Sequence, residues 1–122
     1  MERIRSHKDL EIWKETIAMI KEVYARSADF PKEEIYRMTM QLRRAAVSVA
    51  CNVAEGAARG SRKEFAQFLH IALGSLAEVE ALVELAEELF GLVNPELDNR
   101  VERVRKMISG LVKSPKASGG KG

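Results

Sequence analysis

The sequence predicts an all-α protein, an antiparallel up-down-up-down four-helix bundle. Three observations predict it. Apolar residues recur at steps of three and four through four successive segments, and a period of two persists nowhere. Pro31, Gly60, Gly91 and Pro95 fall between those segments, where helices end and begin. Every connection is only a few residues long, and short links force neighbouring helices to run antiparallel. A chain of 122 residues supports one core. Residues 1–113 are therefore expected to form a single bundle domain, and residues 114–122 a disordered basic tail.

The first segment carries its apolar stripe on Leu10, Trp13, Ile17, Ile20 and Tyr24, and Ser6 with Asp9 reads as its start. The second carries Ile35, Met38, Leu42, Ala45, Val49 and Val53. Pro31 followed by Glu33 and Glu34 suits its first turn, where proline loses no hydrogen bond and carboxylates meet the positive helix end. Gly60 can close that helix in the left-handed conformation. Ser61 then caps the next, with Glu64 completing a capping box. The third stripe is Phe65, Leu69, Ala72, Leu76, Val79, Val83, Ala86 and Phe90, and Gly91 ends it. Asn94-Pro95 opens the fourth helix, whose stripe is Leu97, Val101, Val104, Ile108 and Leu111. The third helix, about Arg62 to Phe90, should be roughly 40 Å long at ~1.5 Å per residue, the second similar, and the others roughly 25–32 Å.

A lone cysteine, Cys51, cannot form an internal disulfide, which fits a reducing compartment and a cytoplasmic protein. No apolar run approaches the ~18 residues of a membrane span. No apolar stretch follows Met1-Glu2-Arg3-Ile4-Arg5, so no signal peptide and no membrane partner are expected. The formal net charge of +2 selects no partner by itself.

The middle helices carry more apolar surface than a bundle core needs. With Leu42 at the centre of the second stripe, Tyr36, Met40, Val47, Ala50 and Ala54 fall on a separate flank, interrupted only by Arg43. In the third helix Ile71, Leu82, Leu85 and Leu89 lie away from the main stripe. Either both helices are central and well buried, or these nine residues form a self-association surface.

Catalytic or metal chemistry needs convergent polar groups, and few are present. Neither His7 nor His70 follows a glutamate at the Glu-x-x-His spacing of di-iron bundles. Cys51 has no histidine near it in sequence and reads as a buried or interfacial inert thiol. Ser48, Asn52 and Glu55 share a helical face and suit a hydrogen-bonded structural cluster. The glycines at 56 and 60 follow no strand and lack a Gly-Lys-Ser. Trp13 lies in an apolar stripe and suits packing rather than base stacking. No cofactor, no metal and no enzymatic activity are expected.

The runs Gln41-Leu42-Arg43-Arg44-Ala45-Ala46-Val47-Ser48-Val49 and Asn52-Val53-Ala54-Glu55-Gly56 stand out together. So do Glu64-Phe65, Phe68-Leu69, Ala72-Leu73-Gly74-Ser75-Leu76-Ala77-Glu78, and the opening Asp9-Leu10-Glu11-Ile12-Trp13-Lys14. From about Lys8 to Leu92 the chain resembles the four-helix-bundle proteins of 23S rRNA intervening sequences. The resemblance implies a homo-oligomer, commonly a pentameric barrel, without enzymatic activity. It also implies kinship with the accessory protein of diversity-generating retroelements, which is thought to bind nucleic acid and a reverse transcriptase. Where many members have proline this chain has Ala50, so the second helix is expected to run straighter.

Helix directions sort the charges. The Gly60 hairpin and both termini belong at one pole, with Arg59, Arg62, Lys63, Arg3, Arg5, Lys8, Lys113, Lys116 and Lys121. The opposite pole gathers Asp29, Glu33, Glu34, Glu84, Glu87, Glu88, Glu96 and Asp98, some of which also complement helix N-termini. The leading expectation is an oligomeric protein that binds RNA or DNA at the basic pole with little sequence specificity. Arg37, Arg43 and Arg44 form a second candidate strip. The alternative is a structural adaptor that docks a partner protein such as a reverse transcriptase.

Overall fold

The computed structural model describes residues 10–113. It contains α1 (Glu11–Ser27), α2 (Met40–Ala58), α3 (Arg62–Phe90) and α4 (Pro95–Lys113). A 3₁₀ turn at Lys32–Glu34 and a π-helical stretch at Ile35–Thr39 lead into α2. No strand occurs among the described residues. Each helix packs on two others, in the closed order α1–α2–α3–α4–α1.

Cross-helix partners fix the directions. Gln41, Ser48 and Gly56 of α2 meet Glu78, Ser75 and Phe65 of α3, so rising numbers on one helix face falling numbers on the other. The ion pairs Glu15–Arg103 and Glu22–Arg100 set α1 against α4 in the same sense. At one pole the rings of Phe30 and Phe90 lie 5.3 Å apart between centroids. Asp29 and Phe30 of the first loop line a small cavity there with Gly91, Leu92 and Asn94 of the third. The hairpin at Gly60 occupies the other pole.

The core follows the expected stripes on α3 and α4 closely, with Phe65, Leu69, Ala72, Leu76, Val79, Leu97, Val101, Val104 and Ile108 buried. On α1 the stripe is rotated from the expected one. Ile12, Met19 and Val23 are buried together with Thr16 and Ser27, while Tyr24 is exposed and Trp13, Ile17 and Ile20 are half-buried. Two hydroxyls disguised this face as polar. Thr16 Oγ1 donates to the Ile12 carbonyl at 2.7 Å and Ser27 Oγ to that of Tyr24, which leaves neither hydroxyl unsatisfied.

The caps are largely those expected. Gly60 and Gly91 take positive φ, +84° and +70°. Ser61 Oγ accepts from the Glu64 amide at 3.1 Å, and its hydroxyl donates to the Glu64 carboxylate. Asn94 Oδ1 accepts from the Leu97 amide. The proposed start at Ser6 lies outside the described residues, and α1 begins after Leu10 with no side-chain cap.

The second helix departs from expectation. It is continuous past Ala50, but it is not one straight rod from Glu33. At Arg37 the backbone leaves helical space (φ −123°, ψ −105°), and Glu34 Oε1 accepts from the Met38 amide as the helix restarts. The regular part, 19 residues, spans only about 28 Å, so it is shorter than α3 rather than equal to it.

Candidate functional site

The α2–α3 seam absorbs Gln41, Ser48 and Gly56 of the motif residues on α2. Gln41 Nε2 donates to Glu78 Oε2 at 3.2 Å. Ser48 Oγ and Ser75 Oγ lie 2.8 Å apart, and Asn52 Nδ2 donates to both the carbonyl and the hydroxyl of Ser48. At Gly56 the helices approach so closely that a Cβ would sit 2.7 Å from Phe68 Cβ. These side chains knit two helices together and present no reactive group. Among the described residues no group of three His, Cys, Asp or Glu side chains is placed to hold a metal ion. His70 is exposed. Cys51 is exposed too, rather than buried.

The apolar flank divides into residues that are bare and residues already used. Tyr36, Met40 and Val47 on the second segment are exposed, as are Ile71, Leu85 and Leu89 on α3. Ala50 and Leu82, both expected at a self-association surface, are only 6% and 5% exposed. At that exposure each offers little area to a second copy. Ala54 is half-buried. Three exposed side chains were missed: Tyr24 and Ile35, placed in core stripes by their spacing, and Val93 in the loop after α3. Tyr24, Ile35, Tyr36, Met40, Val47 and Cys51 line one shallow depression beside α2. The break at Arg37 turns Ile35 out of the helical phase that spacing assumes.

The basic candidates also divide. Arg43 is not an open cation: its Nε donates to Ser27 Oγ at 2.8 Å, its Nη2 to the Tyr24 carbonyl, and it stacks 4.6 Å over the Tyr24 ring. It closes the C-terminal end of α1 against α2. The side chains of Arg37 and Arg44 are exposed and make no ion pair or hydrogen bond among the described residues. At the hairpin, Arg59 pairs with Glu55 at 2.8 Å and lies 5.0 Å over the Phe68 ring. Arg62 is half-buried and has a partner within the chain, and Lys63 is exposed. Arg3, Arg5, Lys8, Lys116 and Lys121 lie outside the described residues.

Four cations of α4 are spent on carboxylates, while Lys113 at its end is exposed without an ion pair among the described residues. Arg100 and Arg103 reach Glu22 and Glu15, Arg105 reaches Glu80 and Glu102, and Lys106 reaches Glu102. The Arg105 hydrogen bond holds the Glu102 carboxyl below the usual carboxylate range. A groove between α3 and α4 is lined by Glu80, Glu84, Glu87, Asp98 and Glu102. No helix among the described residues is long and apolar enough to cross a membrane.

In comparisons with known proteins, the family model described as 23S rRNA-intervening sequence protein matches residues 8–110. No curated protein matches the chain.

Proposed function

The chain belongs to the 23S rRNA-intervening sequence protein family, and from that premise we propose that it is a non-catalytic, self-associating helical protein that binds nucleic acid through phosphate contacts. The observation that carries this reading is the separation of charge along the bundle. The α2–α3 hairpin holds Arg59, Arg62 and Lys63 within one turn of chain at one pole. Asp29, Glu33, Glu87, Glu88, Glu96 and Asp98 lie in or beside the loops of the other. Phosphate is attracted to the first, with no reading of sequence.

Self-association rests on the bare apolar side chains Val47 of α2 and Ile71, Leu85 and Leu89 of α3, and a ring of five copies is the assembly that the resemblance implies. Copies related by an axis parallel to the helices would present several hairpins on one face, which raises phosphate affinity without any new contact. The depression beside α2 supports a second reading, an adaptor that docks a partner protein there.

The test of nucleic-acid binding is the triple change Arg59→Glu, Arg62→Glu and Lys63→Glu, measured by anisotropy of labelled RNA and DNA. The parent should bind, and the variant should not. Three phosphate contacts per copy predict a loss of roughly 20- to 40-fold between about 50 and 200 mM salt. Equal binding by the variant removes the hairpin as the site.

A further inference from the structure

We propose that the groove between α2 and α3 is a single-strand nucleic-acid site in which a base stacks on Tyr36 while Arg37 and Arg44 hold the flanking phosphates. The inference rests on the nucleic-acid reading above and names a ligand class for it. Tyr36 is 81% exposed, the most exposed of the large apolar side chains. It stands where the helical backbone breaks, so its ring is not held against a neighbouring turn. Tyr36, Arg37 and Arg44 line one shallow groove with Gln41 and Ser48, facing Ser75 and Glu78 of α3.

The arginines decide the occupant. Arg26, Arg59, Arg100, Arg103 and Arg105 each pair with a carboxylate, and Arg43 is hydrogen-bonded inside the chain. Arg37 and Arg44 alone, with no partner among the described residues, share a groove with an open aromatic face. The one carboxylate in that groove, Glu78, accepts from Gln41, so a polar donor already occupies part of its acceptor capacity. Aromatic faces that stack bases beside cations that follow the backbone are what single strands require. A duplex, whose bases are stacked on one another, has no free base face to offer the ring.

The experiment compares a labelled oligothymidylate of about a dozen nucleotides with a duplex of the same length, using the full chain. Tyr36→Ala should weaken single-strand binding roughly tenfold, leave duplex binding at the parent level, and be rescued by Tyr36→Phe. The double change Arg37→Ala and Arg44→Ala should lower single-strand affinity and flatten its salt dependence. A Tyr36→Trp variant gives an independent signal: its emission should be quenched by oligothymidylate and not by polyglutamate. Tyr36 borders the apolar depression, so light scattering checks that each variant assembles as the parent does. An absence of quenching, or equal loss of single-strand and duplex binding in Tyr36→Ala, overturns the groove. Polyglutamate competing as well as the oligonucleotide would reveal a site for acidic peptides instead and also overturn it. A parent that binds neither nucleic acid brings down the functional reading as well. A parent that binds while Tyr36→Ala matches it brings down only the groove.

Discussion

Gly56 shows how much a single missing methyl group can matter to this bundle. It lies at the hairpin end of the α2–α3 contact, where an added Cβ would meet Phe68 Cβ at 2.7 Å, Phe65 Cδ1 at 3.1 Å and the Phe65 carbonyl at 3.4 Å. Alanine is intrinsically better than glycine in a helix by about 1 kcal/mol. Overpacking of a tight contact costs about 1–3 kcal/mol. The contact should win, because the nearest atom is the Cβ of Phe68 rather than the tip of a flexible chain. Gly56→Ala is expected to lower stability by about 1 kcal/mol despite its better propensity, read from urea denaturation. An unchanged or raised midpoint would mean that α2 and α3 can part slightly at no cost. The same scale explains the polar motif residues. Ser48 meets Ser75 across the seam while Asn52 donates to Ser48 within α2, so their conspicuous sequence pattern reports packing and not chemistry.

At the scale of elements, punctuation was legible and phase was partly not. Ser61, Gly60, Gly91 and Asn94 act as their residue types require, because each satisfies an end group or takes a φ that other residues resist. Ser61→Ala should cost about 1 kcal/mol, a shift of about 4 °C in melting temperature for a chain of this size. Calorimetry measures it, and no shift would mean that the α3 start is held by other contacts. The stripes of α3 and α4 could be read because every buried position there is apolar. That of α1 could not, since Thr16 and Ser27 hide inside it by bonding to their own helix. Neither could the break at Arg37 be read, because Pro31, Glu33 and Glu34 are ordinary first-turn residues and nothing in Ile35-Tyr36-Arg37 forbids a helix. The candidate surfaces suffered accordingly. Spacing alone assigned Ala50 and Leu82 to an outer flank that the close approach of neighbouring helices covers. The cations could be counted in sequence, but whether each was paired depended on which helix lay beside it, as with Arg43 against α1 and Arg103 against Glu15.

For the molecule as a whole, the bare apolar residues are concentrated on α2, its π-helical lead and α3, and none of the large ones lies on α4 among the described residues. That asymmetry is the basis for expecting copies to meet through α2 and α3. Val47→Glu or Leu85→Glu would place a charge at such a contact, where an unpaired buried carboxylate is strongly unfavourable. Each should shift light scattering from an oligomer to the single-chain mass of 13.6 kDa while leaving helical circular dichroism intact. A parent that is already a monomer at micromolar concentration removes the basis for the assembly. The opposed poles have a kinetic consequence as well. A bundle with an excess of carboxylates at one end and of cations at the other would be a long electric dipole, and a polyanion would turn it before touching it. Encounters would then begin hairpin first. Added salt would slow arrival more than it hastens departure, because the torque acts over distances that counter-ions screen.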